Sequence, residues 1–255
     1  MEKIYIAAGG TGGHINAAIS MGEEYSGKYD ITYITGKRYL DYQWCKGKNT
    51  IHLKSRPLRS KTPFTIVKNI CINTGVFFGL IGMFLKNKPK FVIGAGGYVC
   101  GPSLLCAKVL GTSIFIIEQN AVVGLTNKIL SKISNLIFTN FEKTKGLENL
   151  SPDKIMNLGN PIRKDIQFSE NKLHDTINIL IFGGSLGADQ INKAVLSILN
   201  RDFNKKINII HQVGKNNLQA DVKTSGSIEY TQVEYIDNMN SEYANANMIV
   251  ARAGA

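Results

Sequence analysis

Three times in this chain a short aliphatic run meets a cluster of glycines and continues into a helix-forming stretch. Ile4-Tyr5-Ile6 leads into Ala7-Ala8-Gly9-Gly10-Thr11-Gly12-Gly13-His14 and a helical run over 17–23. Phe91-Val92-Ile93 leads into Gly94-Ala95-Gly96-Gly97-Tyr98-Val99-Cys100-Gly101-Pro102 and a helix over 103–110, and residues 177–182 lead into Gly183-Gly184-Ser185-Leu186-Gly187-Ala188 and a helix over 189–199. Strand, tight turn and helix in that order are the building unit of a parallel α/β sheet, so repeated units predict doubly wound sheets. Glycine permits positive φ and close approach of a ligand to the backbone, and the first N–H groups of a helix favour anionic oxygen. Each corner is therefore either an anion-binding turn or a plain tight connection. Gly-Gly-Thr-Gly-Gly matches neither the spaced dinucleotide fingerprint nor a Walker loop. His14, at the mouth of the first corner, is a candidate general base, since an imidazole titrates near neutrality.

The first half alternates strand and helix throughout: strands over 31–36, near 51–53, 113–117 and 136–139, with a helix over 122–132. Glu118-Gln119-Asn120 stands at the carboxyl end of one of these strands, the edge at which open parallel sheets bind ligands. Glu118 reads either as a functional carboxylate or as a charge at a helix N-terminus. Asn160-Pro161 turns the chain, which places a domain boundary after residue 163. The second half repeats the pattern, with strands over 207–212 and 228–235, a short helix between them, a helix over 240–246 and a strand over 248–251.

Charge separates the two halves. Residues 1–163 hold 21 Lys and Arg against 9 Asp and Glu, and 164–255 hold 9 against 10, dividing the net +11 into +12 and −1. Basicity confined to one half points to a partner rich in negative charge, an anionic membrane surface or a nucleic acid. No helix-turn-helix, RNP or zinc pattern accompanies it, so nucleic acid is not expected as a partner. Within that half the stretch 66–85 is strongly apolar and flanked by Lys68, Lys86, Lys88 and Lys90. Interrupted by Lys68, Asn69 and Asn73, it reads as too short for a membrane span. It is either a buried crossover helix or an interfacial one whose Val76, Phe77, Leu80 and Phe84 meet a membrane. The four cysteines form no CxxC pair and no metal spacing with the four histidines. No metal is expected, and a reducing compartment fits better than a disulfide framework.

The motifs in their order, Gly9 to His14, Gly94 to Pro102, Glu118-Gln119-Asn120 with Gly124-Leu125-Thr126-Asn127, Gly159-Asn160-Pro161-Ile162-Arg163, and Gly183 to Ala188, together resemble the MurG family. The resemblance covers the whole chain. It implies an α/β fold of the GT-B type, two Rossmann-like doubly wound domains over 1–163 and 164–255, the second incomplete. It also implies inverting, metal-independent transfer of N-acetylglucosamine from UDP-N-acetylglucosamine to undecaprenyl-pyrophosphoryl-muramoyl-pentapeptide, lipid I, to give lipid II. UDP-N-acetylglucosamine would be a substrate, with no cofactor. His14 would deprotonate the acceptor hydroxyl, with Glu118 the second catalytic candidate. Thr11, Gly12, Gly13, Asn120, Arg163, Ser185, Ile236 and Ala255 would bind substrate, Asn120 at the donor sugar, Arg163 and Ser185 at the nucleotide, and Ile236 against uracil. Gly10, Gly97 and Tyr98 would hold the acceptor pyrophosphate. The apolar stretch would dock the protein peripherally on the anionic, cytoplasmic face of the plasma membrane, with cell-wall synthesis proteins as further candidate partners.

The chain departs from the family pattern in three places. Ile15-Asn16 stand where an aromatic residue and proline are frequent, and Ile117 where histidine is. The sequence ends at Arg252-Ala253-Gly254-Ala255, where the family continues for roughly another hundred residues. A non-catalytic remnant that binds lipid pyrophosphate and membrane is accordingly the alternative reading, and an exposed sheet edge is expected in 164–255.

Overall fold

A computed structural model describes residues 1–58, 62–164, 166, 175–184 and 187–252. The chain forms two compact units, 1–163 and 164–254.

The first unit runs β1 (Lys3–Ala7), α1 (Gly12–Tyr25), β2 (Asp30–Thr35), α2 (Tyr39–Trp44), β3 (Thr50–His52), α3 (Pro63–Lys86), β4 (Phe91–Gly94), α4 (Cys100–Val109), β5 (Ser113–Glu118), α5 (Leu125–Leu130), β6 (Leu136–Thr139), a 3-10 turn (Pro152–Lys154) and β7 (Ile155–Asn157). Its sheet has the order β3-β2-β1-β4-β5-β6-β7, with every pairing parallel. Side chains alternate across a strand, and both faces here are covered. Tyr5, Val92, Ile114 and Ile116 point into one buried cluster beneath α3, α4 and α5. Their neighbours Ile6, Ile93 and Ile117 point into a second, packed with Ile15, Ala18 and Ile19 of α1. Covering both faces is why these strands read as unbroken aliphatic runs.

The α3 helix corrects the membrane-facing assignment. Pro63 occupies its first turn, where a missing N–H costs nothing. Leu80 and Phe84 are 2% and 1% exposed, inside the core, and Phe84 lies 4.8 Å from the Tyr5 ring centroid. Val76 and Phe77 are half-buried against the same cluster. Four-residue spacing puts all of these on or beside one face, and that face is taken by the sheet. The outward apolar residues are instead Phe64, Val67, Ile70, Phe78 and Leu85. The helix is also longer than expected: its 24 residues pass, by length and composition alone, for a segment able to cross a membrane.

The second unit runs β8 (Thr176–Phe182), α6 (Asp189–Leu196), β9 (Lys206–Gln212), β10 (Ile228–Val233), α7 (Met239–Asn245) and β11 (Met248–Ala251). Its parallel sheet has the order β10-β9-β8-β11. Between β9 and β10 there are turns where a short helix is expected from sequence, with Asn216 and Asp221 at positive φ. Ile181, Val195, Leu199, Ile207 and Ile209 form the core on one side. Leu180, Ile236 and Ala246 form a smaller one. At the sheet's edge β11 is exposed along its whole length.

Candidate active site

The carboxyl ends of β1, β4 and β5 bring two glycine turns and the Glu118 loop together. Thr11 caps α1, its hydroxyl accepting from the His14 N–H at 3.5 Å, and this fixes where the helix starts. His14 Nδ1 lies 3.3 Å from the Gly9 carbonyl oxygen. A carbonyl only accepts, so Nδ1 carries the proton and Nε2 keeps its lone pair. Burial pushes the His14 pKa below its usual value, while the Gly9 bond and the nearby Glu118 carboxylate pull it back up. The ring is therefore neutral at neutral pH, with an acceptor nitrogen on the side away from Gly9.

The second turn is shaped around the first. Gly96 has φ +105, and a Cβ there would stand 2.8 Å from His14 Cδ2. At Gly97, φ +91, a Cβ would collide with the Gly9 carbonyl. Only glycine lets the two turns approach this closely. Tyr98 covers Gly10 with its ring, and the Arg38 guanidinium stacks 5.0 Å from that ring while donating to the Gly10 carbonyl at 3.3 Å.

Glu118 is 1% exposed and accepts four hydrogen bonds. The N–H and Nδ2 of Asn120 reach one oxygen at 3.0 and 2.8 Å, and the Gly124 N–H and Asn127 Nδ2 reach the other at 3.0 and 2.9 Å. A carboxylate engaged in this way ties the end of β5 to the start of α5. The helix-start reading of Glu118 holds in that it receives the N–H of Gly124, the residue that precedes α5, and the carboxylate also borders the cleft.

These groups border a cleft of about 670 Å³. His14, Gly97, Tyr98, Glu118 and Asn120 all line it, as does Phe77. Thr11, Gly12, Gly13 and Gly10 belong to the first turn but not to the lining, and Arg163 lies at the end of the unit, partly buried. Ser185 and Ala255 fall outside the described residues. Ile236 is only 8% exposed, its side chain packed with Leu180 and Ala246 and its N–H bound to Gln212 Oε1 at 2.9 Å. The expectation of an Ile236 side chain laid against a base is corrected accordingly, because the core of the second unit already holds it. Among the described residues no group of three or more His, Cys, Asp or Glu is gathered to hold a metal.

Arg56 also lines the cleft, and the sequence showed it only as part of a basic loop. Asn73 of α3 fixes its position, accepting from Ser55 Oγ and the Arg56 N–H at 2.7 and 3.0 Å and donating to the Arg56 carbonyl at 2.9 Å. Asn69 adds a bond to the Pro57 carbonyl at 2.7 Å. Two asparagines in an apolar helix were the available signal, but their partners lay in a loop that has no local pattern.

In the second unit Gln212 Nε2 donates to the Gly184 carbonyl at 2.9 Å, and Asn192 Nδ2 to the Val213 carbonyl at 2.9 Å. The third glycine turn and α6 are thereby tied to the end of β9.

Comparison with known proteins agrees with this geometry. Residues 4–139 match the glycosyltransferase family 28 N-terminal domain, and residues 178–255 match the corresponding C-terminal domain. The chain is 32% identical over 267 residues to a UDP-N-acetylglucosamine–N-acetylmuramyl-(pentapeptide) pyrophosphoryl-undecaprenol N-acetylglucosamine transferase of Myxococcus xanthus, covering 100% of this chain and 69% of that protein. It is 33% identical to the protein of the same name from Francisella tularensis subsp. holarctica, covering 100% and 73%. Among solved structures, that of Acinetobacter baumannii MurG superposes with a TM-score of 0.70 at 24% identity, over 100% of this chain and 74% of that one. UDP-GlcNAc 2-epimerase of Neisseria meningitidis, solved with UDP-GlcNAc, shares the fold at 14% identity with a TM-score of 0.66, over 99% and 78%. Two matched domains in order, and full-length relatives above 30% identity, place this chain in the MurG family of UDP-N-acetylglucosamine glycosyltransferases, within glycosyltransferase family 28.

Proposed function

We propose that this protein transfers N-acetylglucosamine from UDP-N-acetylglucosamine to muramyl-pentapeptide pyrophosphoryl-undecaprenol, converting lipid I into lipid II in peptidoglycan synthesis. The observation that carries the mechanism is His14: its Nδ1–H is committed to the Gly9 carbonyl, which leaves Nε2 as a base at the border of the cleft. Nε2 removes the proton of the muramoyl hydroxyl as that oxygen attacks C1 of the donor sugar. The bond from C1 to the UDP oxygen breaks, UDP leaves with the electron pair, and the anomeric centre inverts. Gly10, Thr11, Gly12, Gly13, Gly97 and Tyr98 surround the acceptor pyrophosphate, whose charge suits the N-terminus of α1. Glu118 acts by holding Asn120 toward the donor sugar and by its negative charge beside His14. Arg163 and Ser185 serve the nucleotide. No resident cofactor takes part.

The protein works peripherally at the cytoplasmic face of the membrane. Support comes from the net +12 of residues 1–163 and from the outward apolar residues of α3 that do not line the cleft, Phe64, Val67 and Leu85. That both family domains match favours an enzyme over a remnant that only binds.

The test is transfer of radiolabelled N-acetylglucosamine from UDP-N-acetylglucosamine to a short-chain lipid I analogue, with His14→Ala beside the parent chain. Loss of the base is expected to lower kcat by about 10²–10⁴-fold with thermal unfolding unchanged. Equal turnover by parent and variant would remove His14 from the mechanism. Acceptor binding without transfer would return the remnant reading.

A further inference from the structure

The cleft that begins at His14 does not end at the polar groups. It continues between α3, α4 and α5, where its lining becomes almost wholly apolar: Ile70, Phe77 and Phe78 on α3, Leu105 on α4, and Leu125 and Ile129 on α5. Five of these six are among the exposed large hydrophobic residues of the chain; Phe78 is 64% and Ile129 56% open to solvent. Along α5, Leu125 to Ile129 is one helical turn, about 6 Å farther from the strand ends at which Glu118 and Asn120 sit. The cleft is thus polar beside the glycine turns and apolar away from them. Arg56 stands on its border, held there by Asn73, and is the cation nearest in kind to what a diphosphate needs.

We propose that this apolar arm is a subsite for the proximal isoprenyl units of the acceptor, which the protein itself holds instead of leaving them entirely in the bilayer. The inference rests on the acceptor assigned above, a diphosphate joined to a polyprenyl chain. One molecule of that kind needs an anion site and an apolar channel continuous with it, and the cleft offers both in one volume. About 670 Å³ is the size of ordinary small-molecule sites, so it accommodates the head and the first few prenyl units and not the whole tail. Arg56 is assigned to the diphosphate, together with the Gly96-Gly97 turn that lines the same cleft. The outer faces of Phe64, Val67 and Leu85 do not line the cleft and remain available to a membrane.

Binding alone tests this, without donor, muramoyl sugar or turnover. Geranylgeranyl diphosphate, isopentenyl diphosphate and inorganic pyrophosphate are titrated by calorimetry into the full 255-residue chain, in the absence of vesicles and below the micellar concentration of the prenyl ligands. Affinity is expected to rise at least tenfold from pyrophosphate to geranylgeranyl diphosphate. Ile129→Gln and Leu105→Gln, both at exposed positions, are expected to remove most of that gain and leave pyrophosphate binding and the unfolding midpoint as they were. Phe64→Gln is expected to change neither titration. Arg56→Gln is expected to weaken all three ligands together. Equal affinity for the three ligands, or a prenyl gain that persists in both cleft variants, would overturn the proposal. A gain seen only when anionic vesicles are added would also overturn it, assigning the apolar surface to the bilayer. The glycosyl-transfer reading is separable: prenyl diphosphate binding with no transfer leaves this subsite in place and removes the enzyme, and transfer without a prenyl gain does the reverse.

Discussion

The corner at Gly9–His14 and the one at Gly183–Gly184 start from the same sequence grammar and end as different devices. In the first, the turn is followed by a histidine whose Nδ1 is fixed by the turn's own carbonyl, so a reactive nitrogen is presented beside the cleft. In the second, Gln212 occupies the corner, bridging the Gly184 carbonyl and the Ile236 N–H at 2.9 Å each. The glycines dictate only the backbone path. What the corner can do is set by the side chains that occupy it, His14 of α1 in the first and Gln212 of β9 in the second. Burial differs in parallel: β1 and β4 are enclosed on both faces, whereas Met248, Ile249 and Val250 of β11 are all exposed. One unit carries a double-sided core and the other a core open at an edge.

The largest test of that contrast is a pair of truncations. Phe84→Ala removes a buried ring packed against Tyr5 and is expected to cost about 3–5 kcal/mol. Ile249→Ala, on exposed β11, is expected to stay within about 0.5 kcal/mol. Urea unfolding followed separately in each unit measures both, and comparable losses would mean that the edge strand is as well supported as the interior. Limited proteolysis should agree, with cleavage in 164–254 before 1–163.

Next in size are the two polar organisers. Glu118→Ala strands four donors near α5 and is expected to cost about 2–4 kcal/mol. Gln212→Ala strands one carbonyl and one N–H, at about 1–2 kcal/mol. Hydrogen exchange at Gly124 and at Ile236 reads each loss locally. If Glu118→Ala lowered transfer without loosening residues 120–127, its role would lie in the chemistry and not in holding the loop.

The remaining effect depends on pH. His211, 1% exposed, meets the Tyr230 hydroxyl at 2.9 Å through Nδ1, and its Nε2 has no partner among the described residues. Burial lowers its pKa to about 4. The unfolded chain, with an ordinary histidine near 6.5, binds the proton more readily, so the stability contributed is complete above 6.5 and lost as pH falls toward 4. The second unit is expected to be about 2 kcal/mol less stable at pH 5 than at pH 7, and His211→Leu should flatten that slope. The lowered His14 pKa has the same sign, so kcat/KM is expected to hold through neutrality and fall only below pH 6.5.

The doubly wound pattern, the glycine corners, His14 and the Glu118 loop were legible in the sequence because each rests on local rules: unbroken aliphatic runs ending in glycines, positive φ at glycine, and helix-forming stretches that follow them. The outward face of α3 was not legible. Its apolar residues cover more than one helical face, and periodicity cannot say which face the sheet will take. Packing against Tyr5 chose Leu80 and Phe84 and left Phe64, Val67 and Phe78 outside. Arg56 was hidden for the same kind of reason: Asn73, 17 positions away in the chain, clamps its backbone, and only the folded pairing reveals it. Ile236 was expected, from the resemblance, to pack against uracil, and the second core holds its side chain instead. By itself the sequence determined the backbone corners and the chemistry they can carry. The tertiary structure decided which side chains line the cleft, because that depends on contacts between residues far apart in the chain.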